Sequence, residues 1–213
     1  RQSKLAGLCE HCWLRGPFCI CGATRALGPL RTARVDVHVA VHYKEYGRAT
    51  STAKLLPLLA PGSATLHPYP EAAERLVEEL SGGPALLLLP RADARPAAEL
   101  RPWLDAQAGR VPLLVVDGTW GNVKSMGRQL LGALPGLVVV HVCDEVRSPS
   151  RFTGRRQISA DRVSTVEAIA LALEALGEPD FLGPALAALD LAVDAERAQG
   201  GCSGRTVAAS VES

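Results

Sequence analysis

Three short, uninterrupted apolar runs limit the fold of this 213-residue chain more than any other feature. They are rich in Leu and Val, are bounded by Pro or Gly, and lie at residues 85–90, 112–117 and 137–142. Strands that read as continuous apolar runs are buried on both faces, as in a parallel sheet covered by helices. A fourth segment, 35–42, alternates Val with Asp, His and Ala, which predicts a strand with one buried face.

Helical patterns separate these strands. Ser164 and Glu167 have the spacing of a capping box, which predicts the start of a helix at residue 165. The alternation of strand and helix predicts an α/β domain with a mostly parallel sheet and helices on both faces. The predicted helices lie at 52–60, 70–80, 97–107, 120–133, 165–177 and 184–198.

The chain divides into three parts by composition. A cysteine-rich knuckle with its linker takes residues 1–34, and the α/β domain takes 35–198. Residues 199–213 are small and polar, so we expect a disordered tail there. No run of 18 apolar residues is present, and the N-terminus lacks the apolar core of a signal peptide. We therefore expect a cytoplasmic protein with no membrane partner.

Four of the six cysteines lie within 13 residues, in the segment CEHCWLRGPFCIC. Thiolates are the preferred ligands of structural zinc, so the segment predicts a zinc knuckle with four cysteine ligands. The second pair is spaced Cys-x-Cys, which differs from the common zinc ribbon. Disulfides or free thiols are the alternative, and the lack of a secretion signal disfavours disulfides. The four candidate zinc ligands are Cys9, Cys12, Cys19 and Cys21.

Basic residues are concentrated in two places although the net charge is only +1. Residues 1–34 hold six Lys and Arg against one acid, and residues 147–162 hold five Arg against one acid. Basic islands on an otherwise acidic body indicate an anionic partner. Ordinary solvated surface charge is the alternative.

The ends of the predicted strands carry the most informative polar residues, and ligands of open parallel sheets bind beyond such ends. Asp117 ends one strand, where it would cap helix amides or bind a ligand ammonium. Trp120 would stack on a flat ligand or fill the core. Arg48 precedes hydroxyls at residues 50–52, a group suited to a carboxylate or phosphate, or to capping a helix. The chain contains neither a P-loop nor a Rossmann fingerprint.

Five sequence blocks, in order, resemble the DTW-domain family of tRNA-uridine aminocarboxypropyltransferases. They are CEHC…FCIC, HYKEYGRATSTAKLL, LLLLP, VVDGTWGNVKSM and RRQISADRVSTVEAIALAL, and they span roughly residues 9–175. The Asp-x-Thr-Trp element that names the family is matched by Asp117, Thr119 and Trp120. Where the family often has His-Pro, Asn-Thr and Pro, this chain has His42-Tyr43, Ser51-Thr52 and Ile158.

The resemblance implies a SPOUT-like fold in which the C-terminal part forms a trefoil knot beneath the cofactor. It also implies transfer of the 3-amino-3-carboxypropyl group of S-adenosylmethionine to N3 of a tRNA uridine, with release of 5′-methylthioadenosine. A monomer is favoured, with tRNA as the partner and zinc in a structural role. Two alternatives are a SPOUT-type RNA methyltransferase that uses the same co-substrate and a non-catalytic zinc-knuckle RNA-binding protein.

Roles for individual residues follow from the resemblance. Asp117 is the candidate general base or the partner of the co-substrate ammonium, with Glu45 in reserve for either task. Thr119 and Trp120 would line the co-substrate pocket. The α-carboxylate would be held by Arg48, Ser51 and Thr52. The adenosine site would be completed by Leu89, Pro90, Ser164 and Thr165, and the tRNA would be bound by Lys124, Arg151, Arg155 and Arg156.

Overall fold

A computed structural model describes residues 5–142, 150, 163–178 and 180–201 of the chain. Six strands form one sheet in the order β2-β1-β5-β3-β6-β4, and every pairing is parallel. The strands are β1 Val35–His42, β2 Ala64–Tyr69, β3 Ala85–Leu88, β4 Arg95–Pro96, β5 Val111–Asp117 and β6 Leu137–His141. The predicted parallel α/β sheet is confirmed.

Seven helices accompany these strands within the described residues. They are α1 Cys21–Arg25, α2 Leu56–Leu59, α3 Ala73–Leu80, α4 Arg101–Asp105, α5 Trp120–Ala133, α6 Thr165–Ala175 and α7 Leu182–Gly201. The helices α2 and α4 each follow a 3₁₀ turn and have Pro in their first turn, where the missing amide costs no hydrogen bond. None of the helices in this part of the chain has the length and apolarity needed to cross a bilayer.

The last helix, α7, extends beyond its predicted end at residue 198 and takes in the first residues of the expected tail. The rest of that tail, 202–213, lies outside the described residues. Disorder there stays a prediction.

The apolar strands are buried on both faces, as their continuous runs predict. On β3 and β5, Leu86 and Leu113 belong to a core cluster that also contains residues of α2, α4, α6 and α7. Their neighbours Leu87 and Leu114 belong to a second cluster, formed with α3 and α5. Helices therefore cover both faces of the sheet, which confirms that part of the predicted fold.

Two strands are absent from the sequence prediction, and both are edge strands. The β2 segment ATLHPY mixes polar residues and Pro68 with few apolar ones. It therefore shows neither the continuous apolar run of a strand buried on both faces nor the alternation of a strand with one buried face. Proline is tolerated there because an edge strand needs fewer ladder hydrogen bonds. The other, β4, has only two residues. In addition, β3 ends at Leu88 rather than at residue 90.

The strand order creates a crevice between β1 and β5. From β1 the chain continues to its neighbour β2, toward one edge of the sheet. From β5 it continues to β6, toward the opposite edge. Such a switch in direction is where ligands bind in open α/β sheets. The segments 143–149 and 151–162, between β6 and α6, lie outside the described residues, and the trefoil knot stays a prediction.

The cysteine-rich segment packs into the main core. Cys12, Leu14 and Cys21 are buried in the same cluster as Leu56 of α2 and Leu189 of α7. The backbone amide of Arg15 also donates to the side-chain oxygen of Gln199 on α7, at 2.7 Å. The stability of this segment is therefore tied to that of the α/β core.

Candidate functional site

Asp117 lies at the carboxyl end of β5 and joins three separate segments of the chain. Its side chain is buried, with 8% of the residue exposed. Its Oδ2 atom accepts a hydrogen bond from Ser51 Oγ at 2.9 Å, and its Oδ1 atom accepts one from Thr165 Oγ1 at 2.6 Å. The residue at the N-cap of α5 is Thr119, not Asp117. Both carboxylate oxygens therefore bind hydroxyls from outside the α5 turn.

The N-terminus of α6 is held against this cluster by one further contact and is closed by its own capping box. Thr52 Oγ1 accepts a hydrogen bond from the amide of Val166 at 3.3 Å. Ser164 Oγ accepts one from the amide of Glu167, while Glu167 Oε2 accepts one from the amide of Ser164, so the predicted capping box is confirmed. The predicted site residues Thr52, Ser164 and Thr165 thus lie at one place. Their observed contacts fix the position of α6.

Glu45 and Arg48 form an ion pair in the turn that follows β1. The carboxylate of Glu45 is buried, and its Oε1 accepts a hydrogen bond from Arg48 Nη1 at 3.2 Å. The side chain of Arg48 is 54% exposed. A buried carboxylate therefore fixes one end of a guanidinium whose remaining donors face solvent, as a site for an anionic ligand group requires.

Two aromatic side chains are exposed beside this turn. Tyr43, directly after β1, and Trp120, at the start of α5, are each 41% exposed, and they are the exposed large hydrophobic residues of the described chain. Because β1 and β5 are neighbours, the two residues follow the carboxyl ends of adjacent strands. Exposed aromatic rings at the carboxyl ends of the strands suit a ligand with a flat ring. The sequence interpretation did not include Tyr43, although it follows a strand just as Trp120 does.

Gly118 is required by the close approach of α5 to the end of β1. A Cβ atom on Gly118 would lie 3.4 Å from Cβ of His42 and 3.2 Å from Cβ of Asn122. The side-chain amide of Asn122 lies 3.3 Å from His42 Nδ1. His42 and Asn122 are not among the predicted site residues, because only the tertiary fold brings them together.

The residues after β3 reach the same edge of the sheet. Leu88 pairs with Val115, so Pro90 is level with Asp117 along the neighbouring strand. Pro90 is exposed, and the amide of Leu89 donates to the carbonyl of Val140 at 2.9 Å. The backbone at 89–90 therefore follows the carboxyl end of β3, and its role in the adenosine site stays a prediction.

The predicted tRNA-binding residues are only partly described. Lys124 is exposed on α5, one turn after Trp120. Arg151, Arg155 and Arg156 lie outside the described residues. Their joint patch remains a prediction.

The four N-terminal cysteines form a cluster with the dimensions of a metal site. Their sulfur atoms all lie within 4.8 Å of one another. The Sγ atoms of Cys9 and Cys21 are 3.5 Å apart, and those of Cys12 and Cys19 are 3.8 Å apart. Tetrahedral zinc with Zn–S bonds of about 2.3 Å requires S···S separations of about 3.8 Å. The cluster therefore fits zinc, as the sequence predicts.

The charges around the cysteines also favour a cation. Burial opposes ionisation of the Cys9 thiol, but hydrogen bonds from the Cys12 and His11 amides and from neighbouring thiols lower its pKa to about 7. Burial and the neighbouring thiols of Cys9, Cys19 and Cys12 raise the pKa of Cys21. One thiolate thus suppresses ionisation of the others, and a bound dication would remove that conflict.

A buried lysine lies near the cysteine cluster. Lys54 is 1% exposed, and its Nζ donates to the carbonyl of Ala49 at 2.5 Å. Burial lowers the pKa of Lys54 to about 8, while attraction by the nearby Cys12 and by other acidic groups opposes the shift. Its ammonium would offset part of the negative charge of a zinc tetrathiolate.

Among the comparisons with known proteins, only that with protein-family models gives a match. Searches of curated proteins and of solved structures found none. The family model of the DTW domain matches residues 6–195, a span that includes the four cysteines, Asp117 and the N-terminus of α6. The chain therefore belongs to the DTW-domain family, which is associated with tRNA-modifying enzymes.

Proposed function

We propose that the protein transfers the 3-amino-3-carboxypropyl group of S-adenosylmethionine to N3 of a tRNA uridine. The observation that carries this proposal is the buried cluster of Asp117, Ser51 and Thr165 at the crevice of a DTW domain. A SPOUT-like arrangement, with the C-terminal part knotted beneath the co-substrate, is part of the proposal.

The reaction requires selection among three electrophilic carbons on one sulfonium. Uridine N3 attacks the carbon of the carboxypropyl arm that is bonded to sulfur, and the C–S electron pair leaves with sulfur as 5′-methylthioadenosine. The proton of N3 passes to a base. Because the methyl and the ribosyl carbon are also reactive, the residues around the crevice must present only the carboxypropyl arm to the uridine.

Asp117 suits the role of ammonium partner better than that of base. Both of its oxygens already accept hydrogen bonds from hydroxyls, which stabilise the ionised carboxylate. A stabilised carboxylate attracts an ammonium but removes a proton poorly. The carboxylate of the buried Glu45 is likewise stabilised, by the guanidinium of Arg48, so Glu45 stays in reserve for either task.

The remaining crevice residues divide between the two ends of the co-substrate. Arg48, with exposed guanidinium donors, would bind the α-carboxylate. Trp120 and Tyr43 would contact the adenine ring, with the backbone at 89–90 on the opposite side. Substitution at a sulfonium needs no metal, so the role proposed for zinc in the cysteine cluster is structural.

The tRNA would be held by basic side chains through its phosphates. Lys124 lies on α5, one turn after Trp120, and Arg155 and Arg156, outside the described residues, would supply further phosphate contacts. A uridine that reacts at its pairing edge must be unpaired or flipped out of a stack. Arg155→Glu combined with Arg156→Glu should therefore weaken tRNA binding and leave S-adenosylmethionine binding unchanged. Equal tRNA affinity in that double variant would refute the patch.

The direct test is an incubation of the purified protein with S-adenosylmethionine and unmodified tRNA. Mass spectrometry of the digested nucleosides and of the small-molecule product then identifies the reaction. Aminocarboxypropyl-uridine with 5′-methylthioadenosine is the expected result. A methylated nucleoside with S-adenosylhomocysteine would mean that a different carbon is transferred, and binding of S-adenosylmethionine without modification of any tRNA would contradict the proposal.

Asp117→Asn separates the two roles considered for that residue. The variant retains the size of the side chain and one acceptor oxygen but loses the charge. Weaker S-adenosylmethionine binding, measured by calorimetry, is expected if Asp117 pairs with the ammonium. Unchanged binding with lost turnover would assign Asp117 as the base instead.

A further inference from the structure

A second group of potential metal ligands lies away from both the cysteines and Asp117. It comprises His38 on β1, His67 on β2 and Glu79 on α3. Val41 is level with Asp117 on the neighbouring strand, and His38 lies three residues earlier, about 10 Å back along β1. Successive side chains alternate between faces, so His38 faces α3 while Val41 belongs to the opposite core.

The three ligand atoms are spaced as a metal ion would require. His38 Nδ1 and His67 Nε2 are 3.1 Å apart, and Glu79 Oε2 lies 3.8 Å from the first and 3.9 Å from the second. The radius of a circle through three points is the product of the sides divided by four times the area. A point equidistant from these atoms is therefore about 2.1 Å from each, and zinc lies at about 2.0–2.2 Å from nitrogen and oxygen ligands.

The surroundings hold these atoms in place and leave one side open. His67 is 4% exposed, and its ring is stacked on that of His38 with centroids 5.2 Å apart. Glu79 Oε1 accepts a hydrogen bond from Arg75 Nε at 2.7 Å, so Oε2 is the oxygen that faces the imidazoles. The side chain of Glu79 is 32% exposed, which gives solvent access to the third ligand.

We propose that His38, His67 and Glu79 bind a divalent transition metal, zinc first, with solvent at the open position. Imidazole and carboxylate ligands suit zinc, and three protein ligands plus water form an open zinc site. The ion would join β1, β2 and α3, three elements that otherwise meet through strand pairing and apolar packing. The proposal does not depend on the proposed transfer reaction.

Zinc titration of the whole protein tests this site. The purified chain is first dialysed until metal analysis shows one equivalent, held by the cysteines, and is then titrated with Zn²⁺ in a calorimeter. One further equivalent is expected. When Co²⁺ replaces Zn²⁺, the second equivalent should add visible absorption without the sulfur-to-metal charge-transfer band that marks the cysteine cluster.

Three variants decide whether the second equivalent belongs to these residues. His67→Gln and Glu79→Gln should each weaken it at least about tenfold, since even outer-shell changes cost 10–100-fold. Glu78→Gln, an exposed neighbour on α3, is the matched control and should bind as the wild type does. Glu79 is at the surface, so Glu79→Gln stays informative if His67→Gln does not fold. A wild type that binds no second equivalent, or equal affinity in Glu79→Gln, would overturn the proposal.

Discussion

Replacing Asp117 by Ala should destabilise the protein as well as inactivate it. The carboxylate is buried and accepts hydrogen bonds from Ser51 Oγ at 2.9 Å and Thr165 Oγ1 at 2.6 Å. A hydrogen bond to a charged group contributes about 1.5–3 kcal/mol. Loss of both should lower the free energy of unfolding by about 3–6 kcal/mol, or the melting temperature by roughly 6–24 °C for a chain of this size.

Single removal of each donor divides this loss between the two contacts. Ser51→Ala and Thr165→Val should each cost about 1.5–3 kcal/mol, measured by urea unfolding with zinc present throughout. In the Asp117→Ala background, Ser51→Ala should cost less than about 0.5 kcal/mol, because its acceptor is already absent. The difference between the two backgrounds is the coupling energy of the pair.

Additive losses would refute this assignment. If Ser51→Ala costs the same with and without the carboxylate, the hydrogen bond contributes nothing to stability. A loss below about 1 kcal/mol in Asp117→Ala would show that the cluster does not hold the three segments together. Asp117→Asn is the matched control, because it retains the volume and one acceptor oxygen, and it should be destabilised less than Asp117→Ala.

Three other substitutions have outcomes set by the structure. A Cβ on Gly127 would lie 2.9 Å from Cδ2 of the buried Leu89, which would have to shift, whereas a Cβ on Gly132 of the same helix has open space. Gly132→Ala should therefore stabilise by up to about 1 kcal/mol and Gly127→Ala by less, and thermal melting of the two variants compares them, an equal gain being the contrary result. Cys12→Ser should abolish zinc binding at the cysteine cluster and lower the melting temperature of the whole chain, because Cys12 belongs to the main core. Metal analysis and calorimetric melting measure the two effects, and full zinc content with an unchanged melting temperature would contradict the prediction. Glu178 accepts from three backbone amides at residues 33–35, so Glu178→Gln should lose about 2–3 kcal/mol in urea unfolding, and unchanged stability would contradict that role.

The central sheet was predictable from the sequence because its strands are buried on both faces. Burial on both faces demands apolar residues at every position, and β5 satisfies that demand over its whole length apart from Pro112 and Asp117. The edge strand β2 is also largely buried, but His67 and Pro68 occupy two of its buried positions, so its residues form neither a continuous apolar run nor a regular alternation. Periodicity therefore identifies strands whose buried positions are apolar, and β2 lacks that signal.

From residue patterns alone, the candidate site was predictable only where it follows a strand, while Ser164 and Thr165 came from the family resemblance. Asp117 and Trp120 were found because ligands bind beyond the carboxyl ends of parallel strands. The hydroxyls that hold Asp117 come from residues 66 and 48 positions away, so their pairing depends on the folded topology. The same holds for His38 and His67, which are polar positions of two separate strands until the register brings them together.

The segment from Ser51 to Lys54 connects the cysteine cluster with the crevice. Ser51 donates to Asp117, and Thr52 accepts from the first turn of α6. Two residues later, the buried Lys54 is attracted by the charge of the cysteines. A zinc tetrathiolate carries a net charge of about −2, so it stabilises a buried ammonium that would otherwise be costly. A metal bound by the four cysteines would therefore favour the conformation of the segment that positions Ser51.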